Sequence, residues 1–244
     1  MALHAAGDMT AFLQRYFDHE LEKGKQFLSR FEAYSENWPT SNVLDFGCGG
    51  GGLTIQLGNR FREAWGIDLD QEKLDFAERQ RDRLGRTNVH FRCYDGITLP
   101  FDDGTFDTIF CVDVVEHLPH PHHFIQEFER VLRPGGRLLL SFGPPWKHAH
   151  GKHQWTKLPG WWTHLLFPRS VVMEVRGFKP DTTWEEIGLH RLTVGKFERI
   201  MKRSRFRPRQ IDYRINASVR PVKSVPVLRE YFISEVVGVF DRAA

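Results

Sequence analysis

The stretch Val43–Leu53, VLDFGCGGGGL, decides how the chain is read. Val43 to Phe46 has the composition of a short buried strand. Glycines follow at once, four of them consecutive, and an apolar helical pattern then runs from about Leu53 to Asn59. Glycines at such a turn permit positive φ and let a ligand approach the backbone. The helix behind them offers unpaired N–H groups and the positive end of its dipole. Two ligand classes fit a strand, glycine loop and helix in this order: a dinucleotide, or a nucleoside without phosphates.

Strands and helices alternate outward from that stretch. Further strands are expected at Glu63–Ile67, Val89–Tyr94, Thr105–Val112 and Arg137–Phe142, with helices at Gln71–Leu84 and Pro121–Leu132. Repeated βα units imply a parallel sheet covered on both faces. Ahead of them, Phe12, Leu13, Tyr16, Phe17, Leu21, Phe27, Leu28 and Phe31 recur at helical spacing, which predicts one long helix or two short ones over Met9–Tyr34. After Phe142 the period is lost. Gly143–Leu189 is rich in Pro, Trp and His and too long for a plain connection, so a lid or substrate wall is expected there. A helix at Thr193–Lys202 and strands at Gln210–Ile215 and Phe232–Phe240, with a Pro-containing loop between the strands, complete the reading.

Carboxylates separate the two ligand classes. Asp45 opens an acidic-x-Gly-x-Gly-x-Gly pattern with Gly47, Gly49 and Gly51; Asp68 ends the second strand and Asp95 follows the third. A carboxylate in the position of Asp68 accepts from ribose hydroxyls, and one in the position of Asp95 accepts from an exocyclic amine. An acidic residue beside the loop suits a cationic ligand better than a pyrophosphate, and no P-loop Lys-Ser/Thr is present. This ordered set, with the LPF.D.TFD and LRPGG runs, resembles the class I S-adenosylmethionine-dependent methyltransferases over roughly Asn42–Phe142.

The resemblance implies an α/β, Rossmann-like, doubly wound fold. Its seven-stranded sheet would be mostly parallel with an antiparallel last strand, for which Phe232–Phe240 is the candidate. It further implies that Asp45, Gly47 and Gly49 line the methionine part of the cofactor and that Asp68 holds the ribose. Leu69 would pack on the adenine, Asp95 and Gly96 would meet its edge, and the backbone of Cys111 would lie near the cofactor amine. A single methyltransferase domain over 1–244 is expected, made of a helical cap (1–41), the cofactor core (42–142), a covering insertion (143–190) and a C-terminal helix with strands (191–244).

Bulk composition narrows the partners. Apolar residues make up 41% and charged residues 27%, as in globular proteins, and the apolar runs are far too short to cross a bilayer. The first ten residues show no secretory pattern. Three cysteines without CxxC spacing point to a reducing compartment, the cytoplasm. A net charge of +3 does not suggest nucleic-acid binding, and the basic run Lys202–Arg209 reads as a solvated helix end and turn. A small-molecule acceptor is therefore expected.

Methyl transfer from a sulfonium is a direct displacement, governed by positioning and by exclusion of water. An alcohol or phenol acceptor also needs its proton removed, by a base or by a bound metal. CVDVVEHL (Cys111–Leu118) follows the fourth strand, and a helical turn there would set Asp113, Glu116 and His117 on one face. Two carboxylates and an imidazole suit a divalent ion such as Mg²⁺, Mn²⁺ or Zn²⁺. The segment is similar to that of the metal-dependent O-methyltransferases of quinone biosynthesis and of small-RNA 2′-O-methyltransferases, although Asp113 stands where they carry Glu. The second group also implies a downstream ligand, for which His150 and His153 are available. In metal-free members of the superfamily the same His is a base or a support.

His117 and Asp113 are thus the catalytic candidates, and Asp113, Glu116, His117 and His153 the metal candidates. His120, His122 and His123 read as solvated. Trp146, Trp155, Trp161 and Trp162 would form an apolar acceptor pocket, pack the insertion, or both. Three functions follow: O-methylation of a small apolar, aromatic or sugar-containing acceptor, 2′-O-methylation of RNA ribose, or a non-catalytic cofactor-binding module.

Overall fold

The computed structural model describes residues 6–153, 160–215, 221–222 and 224–243. In chain order the elements are α1 (Ala6–Ser29), β1 (Asn42–Phe46), α2 (Gly52–Gly58), β2 (Glu63–Asp68), α3 (Gln71–Arg83), β3 (Val89–Cys93), β4 (Phe106–Val112), α4 (Pro121–Val131) and β5 (Leu132–Phe142). Then come α5 (Thr163–Leu166), α6 (Arg169–Val175), α7 (Val194–Arg203), β6 (Phe206–Ile215), α8 (Pro226–Phe232) and β7 (Ile233–Arg242). Among the described residues the strands form one seven-stranded sheet in the order β3-β2-β1-β4-β5-β7-β6. β1 and β3 both pair in parallel with β2, whereas β7 runs antiparallel to β6. This is the Rossmann-like sheet with an antiparallel last strand that the sequence implies.

The chain divides into two compact units, residues 1–110 with 130–137, and residues 111–129 with 138–244. In the first unit α1 buries Leu13, Phe17, Phe27 and Leu28, close to the stripe read from the sequence, while Phe12 stays exposed. One long helix accounts for most of Met9–Tyr34, with a 3-10 turn at Glu32–Tyr34 after it. Trp38 stacks on Phe61 at 4.8 Å between ring centroids, and Phe110 meets both rings edge-on. Such edge-to-face contacts add to the burial of these large rings. Asp107 ties the start of β1 to the LRPGG run: its carboxylate accepts from Asn42 N at 2.7 Å and from Arg133 Nε at 2.5 Å. β5 starts at Leu132, earlier than Arg137, so the Pro-Gly-Gly turn lies within the strand's extent.

In the second unit α7 buries Val194, Phe197 and Met201, and Phe197 packs on Phe142 and Phe240 at 4.9 and 6.1 Å. β6 begins at Phe206, within the basic run, rather than at Gln210. It is an edge strand, the position in a sheet that tolerates a proline such as Pro208, and the pairing slips between Pro208 and Gln210. Pro226 starts α8 where the sequence suggested a loop running into a strand, because proline is preorganised for a first helical turn. The insertion holds α5, α6 and a 3-10 turn around a small core of Val172, Met173, Trp184 and Leu189. No described helix is long and apolar enough to cross a membrane.

Candidate active site

The glycine loop belongs to the first unit and joins β1 to α2. Gly47 N and Cys48 N both donate to Ile67 O at 2.9 Å, which fastens the loop to the end of β2. Gly51 takes the left-handed conformation, φ 84°, as the residue that caps α2, a geometry that favours glycine. At Gly52 the reason is space: a Cβ there would lie 2.6 Å from Leu21 N and 2.8 Å from Phe17 O. The backbone of α1 therefore rests directly on the loop.

Carboxylates surround this loop. Asp45 is buried at the end of β1 and accepts from Thr54 Oγ1 at 2.6 Å; burial, and then the charge of Asp68, push its pKa up to about 7. Asp68 accepts from Gly49 N at 2.9 Å through Oδ2 and from Asp70 N at 3.0 Å through Oδ1. An ionised carboxylate has about four acceptor sites, so each oxygen keeps capacity for a hydroxyl. Glu20 of α1 accepts from Gly52 N at 3.3 Å and is hydrogen-bonded to Tyr16. Loss of hydration raises the Glu20 pKa to about 8, and burial beside Glu20 raises that of the Tyr16 phenol.

Tyr16 and Glu20 were not singled out as polar site residues in the sequence, where Tyr16 reads as part of the apolar stripe. Their i, i+4 spacing beside buried Phe17 was the available signal. Beyond β3, Asp95 accepts from Ile97 N at 2.8 Å and Thr98 N at 3.0 Å, and these amides hold its pKa below the usual range. Leu69, 60% exposed, lies beside Gly96, whose added Cβ would stand 3.2 Å from Leu69 Cδ2; Ile97 is exposed as well.

The CVDVVEHL residues from Cys111 onward belong to the second unit. Cys111 is buried near the end of β4. Asp113 follows the strand at φ 56°, its N donates to Ser141 O at 2.9 Å, and its Oδ1 accepts from Ser141 Oγ at 3.1 Å. Val115–His117 is a single 3-10 turn. Glu116 is buried and accepts from Gly143 N at 3.0 Å. His117 Nδ1 lies 2.9 Å from Gly188 O; a carbonyl only accepts, so Nδ1 carries the proton in this contact and Nε2 of the neutral ring is the acceptor. The His153 ring lies 5.0 Å from that of His117, and burial first, then neighbouring His117, lowers its pKa to about 4. His150 instead neighbours His148, at 5.7 Å between rings.

The expected metal set is not assembled. Among the described residues no group of three or more His, Cys, Asp and Glu side chains could hold a metal ion. Asp113 departs from helical geometry, which removes it from the face it would share with Glu116 and His117. Both carboxylates accept from groups of the strand end instead: Asp113 from Ser141, and Glu116 from Gly143 N. His153 lies near enough to His117 and Asp113 to feel both charges and lines one cavity with Glu116, but the four do not form a ligand group among the described residues. Trp146 packs against Trp184 and His164 at 5.1 and 4.7 Å, so it serves the core of the insertion; Trp161 is exposed, and Trp155 lies outside the described residues.

Residues 44–140 match the methyltransferase domain family. The ubiquinone biosynthesis O-methyltransferase of Coxiella burnetii is 33% identical over 100 residues, which are 41% of this chain and 42% of that protein. The norajmaline N-methyltransferase of Rauvolfia serpentina is 33% identical over 41% of this chain and 35% of its own. The chain thus spans less than half the length of these curated relatives. The geranyl diphosphate C-methyltransferase of Streptomyces coelicolor A3(2), solved with Mg²⁺, geranyl diphosphate and S-adenosyl-L-homocysteine, aligns over 91% of this chain and 78% of its own, with a TM-score of 0.62 and 17% identity. Its fold is shared. With the glycine loop, the carboxylates and the sheet order, these likenesses mean that residues 44–140 of this chain are a methyltransferase domain of the class I, S-adenosylmethionine-dependent kind.

Proposed function

We propose that the protein works as one methyltransferase domain and transfers a methyl group from S-adenosylmethionine to an oxygen of a small apolar, aromatic or sugar-containing acceptor. The observation that carries the reading is the carboxylate series Asp45, Asp68 and Asp95 at or just past the carboxyl ends of β1, β2 and β3, around the glycine loop. Asp45 and Glu20, whose pKa values burial raises to about 7 and about 8, would be drawn into the ionised form by a bound cation. Asp68 accepts from ribose hydroxyls. Leu69 and Ile97 offer apolar surface to a flat ring, and Asp95 with Gly96 meets its polar edge. Gly47 and Gly49 bring the backbone close, and the Cys111 backbone is the proposed partner of the cofactor amine.

The cofactor supplies an electrophilic methyl on a sulfonium. His117 takes the acceptor's hydroxyl proton at Nε2 while Gly188 O holds the ring through Nδ1. Asp113, bonded to Ser141, positions the turn that carries His117. The new O–CH₃ bond forms as the S–CH₃ bond breaks, and S-adenosylhomocysteine leaves. No step is routed through a metal, because no ligand group is assembled among the described residues. The cysteines, none of them in a disulfide, support a reducing compartment such as the cytoplasm.

The test is a methyl-transfer screen with labelled cofactor across catechols, quinone precursors, sugars, fatty acids and short RNA. Label in a small hydroxylated acceptor supports the reading. Label in RNA alone, or in none of these while the cofactor still binds, overturns it.

A further inference from the structure

The basic run Lys202–Arg209, which reads in sequence as a solvated helix end and turn, is divided by the fold. Arg209 pairs with Asp241 at 2.7 Å, and Arg207 Nη1 donates to Ser204 O and Phe206 O at 3.3 Å. Arg203 instead lines a cavity of about 340 Å³ between α4 and α7, which both belong to the second unit. On α7, Lys196, Arg199 and Arg203 are spaced i, i+3 and i+7, so one face carries all three cations. On α4, His122, Gln126 and Glu129 are spaced i, i+4 and i+7 and form the opposite wall. Ile125 and Ile200 add an apolar strip.

The charges in this cavity do not balance. Among the described residues Lys196, Arg199 and Arg203 form no ion pair. They face one lining carboxylate, Glu129, whose Oε1 accepts from Arg205 N at 2.5 Å. The other carboxylates on or against α7 are engaged elsewhere. Glu198 pairs with Arg229 and accepts from the Tyr213 hydroxyl, and Glu230 accepts from Gly195 N at 2.9 Å. Like charges three and four residues apart on a helix repel, and a bound anion relieves that repulsion. The volume is in the range of small-ligand sites.

We propose that the groove between α4 and α7 binds a phosphate monoester. Two guanidinium forks and an ammonium group match the three terminal oxygens of a monoester, which carries a charge of about −1.5 to −2 at neutral pH. His122 and Gln126 offer further donors from the opposite wall. A lone carboxylate would leave part of the cationic surplus unmatched. The strip of Ile125 and Ile200 suits a small apolar body on the ester. The inference is independent of the methyl-transfer reading, since every residue in it lies outside the glycine loop and the His117 turn.

The experiment is titration calorimetry of phenyl phosphate into the full chain, with benzoate and a short RNA as further probes. Phenyl phosphate is expected to bind at one site per chain with a dissociation constant of roughly 10 μM to 1 mM, and benzoate about tenfold or more weakly. An Arg199→Gln, Arg203→Gln variant should lose about tenfold or more in affinity for phenyl phosphate. Both positions are exposed, so its melting by circular dichroism should match that of the unmodified chain. His122→Glu adds a carboxylate from the opposite wall and should weaken the same binding with every cation of α7 in place. Four results would overturn the proposal: no heat with phenyl phosphate, equal affinity in the double variant, benzoate bound as tightly as the monoester, or RNA bound through these residues while phenyl phosphate is not.

Discussion

Replacing Glu20 by Gln should raise stability and weaken the binding of a cationic cofactor together. The carboxyl pKa stands at about 8 against an ordinary 4.5, mainly through lost hydration. The folded chain therefore holds a proton that the unfolded chain has released, and stability falls as pH rises from about 4.5 to about 8. At about 1.4 kcal/mol per pH unit the full cost could not exceed ~5 kcal/mol. Relaxation and the partial exposure of the side chain reduce this to roughly 1–3 kcal/mol near pH 8. Glutamine keeps an oxygen for Gly52 N and carries no charge. The variant should melt about 3–8 °C higher at pH 8, converge with the unmodified protein below pH 5, and bind S-adenosylmethionine about tenfold more weakly at pH 8. Differential scanning calorimetry across that range and titration calorimetry read the two effects. A lower melting temperature at pH 8, or unchanged affinity, would refute the reasoning.

His117→Ala should lower kcat by about 10²–10⁴-fold on the true acceptor, with S-adenosylhomocysteine affinity unchanged; a matching loss of affinity would assign the residue to the fold instead. Gly52→Ala drives a methyl into the backbone of α1 at Phe17 and Leu21 and should cost about 1–3 kcal/mol by urea denaturation, with weaker cofactor binding. Trp184→Ala empties the centre of the insertion's small core and should cost about 3–5 kcal/mol, read by the same denaturation.

What could be read from sequence follows from how local each cause is. The glycine loop, its Asp45 and the strand ends at Asp68 and Asp95 are contiguous signals, because consecutive βα units place each carboxylate beside its own loop. The antiparallel β7 came through family likeness, since alternation alone gives no strand order. Long-range partners were not legible. Glu20 meets Gly52 N from 32 residues away, and His117 meets Gly188 O across 71. No metal-ligand group is assembled among the described residues, and Asp113 adopts positive φ, which an i, i+3, i+4 spacing cannot reveal. Pro208 hid the start of β6, because whether a strand tolerates proline depends on its being at the sheet edge.

Titration calorimetry of S-adenosylhomocysteine into the unmodified chain and into Asp68→Ala tests the central claim most directly. Binding at one site per chain, with a dissociation constant of roughly 1–100 μM that weakens by about tenfold or more in the variant, is the predicted result. No heat of binding to the unmodified chain, or equal affinity in the variant, would contradict it.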